Sequence, residues 1–400
     1  MKKRPYLYTY ASSWKEHGGQ PGLVQYALDL EKGQLTLLNT ITERDSMNCS
    51  YVDQEKGILY VCNEDTRVRG ADAMSGQIVG YRLDPQSGAA EEAFRKVTYC
   101  PNPSYVSLDK EREFLFVAHH SAPLAVAHMV MENGAYRPVL TYAEASVQMY
   151  TLDEDGTPDA LVDNIDHLQG LEAGQSAHPH CTTVSPDGQF IAVCDKGTGH
   201  LYLYRLDRQG KAFRLCCKAL TDEPGDAPRY AAFHPTLPYL YVNHEKARRN
   251  GMDVAVFQYD AQGTLRRLQI ANALPEGQGI PEAAHYEQQG LAIAPDGRFL
   301  YTLLNGPNAV AVFRIDPDTG LLTLVENVAV RGVRPRALAL TPDGDFLLAG
   351  CLVSGDITVF RVKEDGTLDE TGGTAVQKGV SYFSFYQPKD VCEARCEYES

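Results

Sequence analysis

The chain has 400 residues, 44% apolar and 22% charged, with 37 basic against 52 acidic side chains and a net charge of −15. This composition supports a packed core, and the acidic balance excludes nucleic acid as the main partner. No apolar run reaches the ~20 residues of a membrane-spanning helix, and the basic start Met1–Tyr6 leads into a strand-like run rather than a secretion signal, so a cytoplasmic protein without membrane attachment is expected.

Taken in chain order, the predicted elements repeat. Aromatic or β-branched strands start at Tyr6, Ile58, Phe114, Phe190, Tyr239, Phe299 and Phe346, with spacings of 52, 56, 76, 49, 60 and 47. Most follow a turn, clearest in Ser185-Pro-Asp-Gly, Ala294-Pro-Asp-Gly and Thr341-Pro-Asp-Gly. A second series of turns reads acidic residue, short loop, glycine: Asp29–Gly33, Asp84–Gly88, Asp153–Gly156, Asp207–Gly210, Asp260–Gly263, Asp316–Gly320 and Glu364–Gly366. Glycine supplies positive φ and the acidic side chain caps the turn. Helical periodicity is nearly absent. Seven units of about 50 residues predict an all-β fold, a seven-bladed β-propeller of four-stranded antiparallel blades. The spacing of 76 marks an insertion in the third unit, around Pro123–Tyr142.

Short strands precede the turns, beginning at Pro103, Pro179, Pro228 and Pro335. Tyr6 lacks such a strand, while Val380–Tyr386 is one without a successor. The two are expected to pair and close the ring, leaving no open edge. The propeller is assigned to residues 1–388 and a polar, frayed tail to 389–400.

Innermost strands line the axis of a propeller, so equivalent positions form a ring. Counting back four residues from the apolar anchors Val52, Leu108, Val184, Phe233, Ile293, Leu340 and Phe385 gives Asn48, Ser104, His180, Arg229, Gln289, Arg336 and Ser381. All are polar, which predicts a wet cavity at one end of the axis. Two guanidiniums converging there call for an anion or for carboxylates. The second strands end near the same face, so Glu64, His120, Lys196 and Glu245 are rim candidates. His178 and His180 share one strand face, yet no further ligand pattern completes a metal site, and no cofactor is expected. No phosphate-binding loop, dinucleotide fingerprint or serine elbow occurs. Cys49, Cys62, Cys100, Cys181, Cys194 and Cys351 read as buried reduced thiols; Cys392 and Cys396 lie in the tail.

At Ala177-His-Pro-His-Cys, Ala227-Pro-Arg-Tyr-Ala-Ala-Phe-His-Pro, Tyr241-Val-Asn-His-Glu and Arg334-Pro-Arg-Ala, the sequence resembles the seven-bladed β-propeller lactonase family, which includes bacterial 6-phosphogluconolactonases and enzymes that lactonise 3-carboxy-cis,cis-muconate. The resemblance spans essentially the whole chain. It implies catalytic roles for His180, Glu245, Arg229 and Arg336, and matches Glu64 to another recurrent glutamate. With these, Asn48, Ser104, His120, His178, Gln289 and Ser381 are the substrate-binding candidates. Three departures, His119-His120 in the third unit, the extra His244 before Glu245, and Asn305 where the family often carries arginine, touch the rim and bear on substrate identity. The expected activity is metal-independent hydrolysis of a small lactone, 6-phosphogluconolactone first, by a monomer. Lactonisation of a muconate-type diacid uses the same residues, and a propeller serving only as an interaction platform is the reading outside enzymes.

Overall fold

The protein was described from a computed structural model, which covers residues 6–15, 19–68, 71, 74–120, 125–171, 175–221, 226–247, 251–280 and 286–387. The expectation of a frayed tail, with Cys392 and Cys396, lies outside these residues. No helix occurs among them; seven four-stranded antiparallel sheets do.

Each predicted start is the first residue of a second strand: Ile58–Asn63, Phe114–His119, Phe190–Asp195, Tyr239–His244, Phe299–Asn305 and Phe346–Cys351. Every residue of these strands is buried. They read as continuous apolar runs because both faces of each sheet pack against neighbouring sheets. The core is accordingly divided into seven apolar clusters, each joining two adjacent blades.

The two turn series meet across these interfaces. The tyrosine hydroxyls of four second strands donate to turn-glycine carbonyls of the next blade: Tyr10 to Gly88 at 2.5 Å, Tyr60 to Gly156 at 2.6 Å, Tyr241 to Gly320 at 2.9 Å and Tyr301 to Gly366 at 3.0 Å. The glycines of six acidic turns have positive φ; at Asp207–Gly210 the left-handed position falls on Lys211 (φ 47°) instead. In the last turn Asp365, not Glu364, accepts the capping bonds, from the Thr367 N–H and hydroxyl.

The first blade holds Tyr6–Ser13, Gly22–Asp29 and Gln34–Thr42, and its innermost strand is Val380–Tyr386. That strand runs antiparallel to the first, from Tyr8 opposite Tyr386 to Ser13 opposite Val380, so the predicted closure is observed. The insertion in the third blade contains a hairpin, Ala125–Glu132 with Ala135–Tyr142, that pairs only with itself.

The innermost strands share a local irregularity. In the third, fourth, fifth and seventh blades the pairing register skips one residue directly after the opening proline: Ser104, His180, Arg229 and Arg336 have no partner across the ladder. Ser381 is skipped in the same way. In the second and sixth blades the shift falls between Met47 and Ser50 and between Gln288 and Leu291, spans that contain Asn48 and Gln289. An extra residue in a strand re-aims its side chain, so all seven predicted ring positions lie in β-bulges.

Candidate active site

Beneath one end of the axis lies a cavity of about 590 Å³. Its walls include Ser104, His180, Arg229, Gln289 and Arg336 from the ring, and Glu64, His120, Lys196 and Glu245 from the ends of second strands. The remaining candidates stand behind this wall. Asn48 donates through Nδ2 to Glu64 Oε1 at 2.5 Å, Ser381 donates to the Met47 carbonyl at 3.0 Å, and His178 stacks on His120 with ring centroids 4.8 Å apart. These three, expected to bind substrate, are not among the residues that line the cavity. Ser104 also ties blades together, its hydroxyl lying 3.2 Å from the His180 carbonyl.

The centre of the site is a charge cluster. Arg229, with a side chain 3% exposed, donates through Nη1 to Glu245 Oε2, and Lys196 Nζ donates to the same oxygen at 2.5 Å. The Nε and Nη2 groups of Arg229, the Nε of Arg336 and the Nδ1 of His180 are buried and make no hydrogen bond among the described residues. The Arg336 guanidinium lies over the indole of Trp14, 3.7 Å from the ring centroid, a cation–π contact that orients it. Orphaned buried donors are costly; two guanidiniums carrying such groups beside one imidazole form a receptor for anionic or carbonyl oxygens.

Electrostatics follow from burial and crowding. Burial first, then Arg229 and Lys196, pushes His180 well below its usual pKa, so its imidazole is neutral at pH 7. His120, edge-on to His180 at 5.7 Å, is held down by burial, Lys196 and its neighbour His178. Burial and Arg229 lower Arg336 to about 10. The next residues along three inner strands, Tyr105, Tyr230 and Tyr382, meet ring to ring at 6.0 and 6.2 Å. Tyr230 also meets His180 edge-on at 5.2 Å. Among the described residues no group of three or more His, Cys, Asp or Glu is placed to hold a metal ion. The eight described cysteines are free thiols.

Lining residues absent from the ring argument include Trp14, Lys15, Asp65, Glu287 and Arg334. Glu287 carried a usable signal: it precedes Gln289 by two in one strand, and its Oε2 accepts from Gln289 Nε2 at 3.2 Å. Trp14, the one tryptophan of the chain, follows the last residue of the first strand, a place no ring register reaches.

A family model described as "Lactonase, 7-bladed beta-propeller" matches residues 6–385. A 6-phosphogluconolactonase of Bacillus subtilis is 27% identical over 357 residues, 88% of this chain and 90% of that protein. One of Erwinia tasmaniensis is 25% identical over 354 residues, 87% and 90%. A solved periplasmic gluconolactonase of Pseudomonas aeruginosa superposes with a TM-score of 0.76 at 24% identity, covering 96% of this chain and 99% of the other, and so shares its fold.

Proposed function

Because the chain belongs to the seven-bladed β-propeller lactonase family, we propose that this lactone hydrolase acts on 6-phosphogluconolactone, opening it with water to 6-phosphogluconate in the pentose phosphate route. The observation that carries the reading is the pair of guanidiniums, buried Arg229 and half-buried Arg336, which line one cavity with neutral His180 and carry buried N–H groups without partners among the described residues. The relatives named as 6-phosphogluconolactonases support the choice of lactone. The cavity also concentrates cations, five basic side chains (Lys15, Lys196, Arg229, Arg334, Arg336) against four acidic (Glu64, Asp65, Glu245, Glu287), in a chain of net charge −15. Such a local excess suits a phosphorylated substrate.

The chemistry assigns each group one task. A guanidinium N–H at the lactone carbonyl stabilises the oxyanion that forms when water adds; one such donor contributes about 10²- to 10³-fold in rate. His180, neutral and within the wall, takes the proton from the attacking water. Glu245, bound by Arg229 and Lys196, is the counter-ion that keeps the cations in place, so His180 is assigned as the base in preference to Glu245. The scheme needs no metal, and we assign a monomer in the cytoplasm, where the free thiols stay reduced.

The test is hydrolysis of freshly prepared 6-phosphogluconolactone, with and without chelator, corrected for spontaneous opening. Chelator-resistant turnover is expected in the wild type and a loss of at least 100-fold in folded His180→Ala and Arg229→Ala. Parental rates in both variants would overturn the assignment.

A further inference from the structure

Hydrolysis by His180 and the arginines alone leaves the ring oxygen of the lactone to depart as an alkoxide, and leaves one half-buried cation without a task. Lys196 follows the buried strand Phe190–Asp195, and its backbone N–H donates to the His178 carbonyl at 3.0 Å, which fixes the root of the side chain. The side chain is 13% exposed and lines the cavity. Glu245 Oε2 accepts one of its N–H groups; an ammonium has three, so two remain for a ligand.

We propose that Lys196 is a catalytic residue, the proton donor to the departing ring oxygen, acting with His180 on the same scissile bond. This rests on the lactone-hydrolysis reading. Water adds to the carbonyl carbon and gives one proton to His180. The tetrahedral intermediate then re-forms its carbonyl, the bond from that carbon to the ring oxygen breaks, and the oxygen keeps the electron pair. Lys196 supplies a proton to that oxygen, producing the sugar hydroxyl and a neutral amine. The new carboxylic acid ionises, releasing one proton to solvent, and the imidazolium returns its proton to the amine, so both groups are reset.

Neighbouring charges suit a lysine to this task. Burial first, and then Arg229, Arg336 and Lys246, push the ammonium well below its ordinary value, with Glu287 opposing. Lys196 is felt by both His120 and His180, which burial keeps neutral. An arginine at this place gives up no proton at accessible pH, so charge and proton transfer are separable by substitution.

Turnover of 6-phosphogluconolactone is followed from pH 5.5 to 9 for the wild type, Lys196→Arg and Lys196→Met, with thermal unfolding as the control for folding. A general acid must be protonated, so wild-type kcat is expected to fall as pH rises through the lysine's depressed pKa. Lys196→Arg keeps the charge and the bond to Glu245. It is expected to hold KM within threefold, lose kcat by 100-fold or more, and show no alkaline limb. Lys196→Met is expected to lose the same limb. Persistence of the limb in either folded variant, or a Lys196→Arg kcat within threefold of wild type, would overturn the proposal. Absence of wild-type turnover would instead overturn the lactone reading on which it rests.

Discussion

Acidification is expected to destabilise this propeller well before its carboxylates titrate. His119 and His180 are buried, and His120 partly so, in the third and fourth blades. Burial pushes His119 down to about 3 and holds the other two well below 6.5. A group whose folded pKa is depressed takes up its proton in the unfolded chain first, so stability rises with pH below 6.5 and is lost on acidification. Between pH 7.5 and 5.5 each such histidine costs about 1.4 kcal/mol, and the three together about 4 kcal/mol. That is a large share of the ~5–15 kcal/mol of a folded protein. Denaturant unfolding at pH 7.5, 6.5 and 5.5 measures it, and His120→Asn is expected to remove about one third of the loss. Stability that stays level across the window, or a loss of full size in His120→Asn, would refute the reasoning.

Other outcomes follow from the same geometry. Glu245→Gln leaves Arg229 and Lys196 without their anion, and loss of one member of a buried pair costs about 3–5 kcal/mol, read as a fall of about 5 °C in Tm; an unchanged Tm would show that the pair is solvent-compensated. Trp14 is the chain's single tryptophan and carries Arg336 at 3.7 Å, so titration with 6-phosphogluconate is expected to change its fluorescence, and constant emission at saturation would place the ligand away from Arg336. Tyr241→Phe and Tyr301→Phe each remove one bond to the next blade, at about 1 kcal/mol apiece. Their double variant is expected to show the simple sum, checked by denaturant unfolding.

The fold was legible because its seven units repeat both an aromatic or β-branched strand start and a capped turn. Phe190 and Phe346 open buried strands where their spacing places them. The closure by Val380–Tyr386 was legible from a missing partner at Tyr6. The polar ring was legible too, since a register fixes which side chains share a level. The bulges that carry it were not, because an extra residue in a strand has no spelling beyond the preceding proline, and three of the seven, Asn48, Gln289 and Ser381, lack even that. Trp14 and Glu287 escaped for a related reason: they enter the cavity from a strand end and from a position two residues off the ring. Lys196 was recognisable as a rim residue from its place after a second strand, but its bond to Glu245 joins two blades and has no signature along the chain.

The bulged ring positions also separate two kinds of constraint. A residue that faces no partner across the ladder contributes its side chain to the cavity and nothing to the register. Exchanging Ser104 or Gln289 therefore alters the chemistry presented at the axis while the hydrogen-bonded rungs on either side keep their places. The prolines before four of the bulges, which set strand entry, have no such freedom. A propeller built this way can be given a new specificity at its axis without being asked to fold differently.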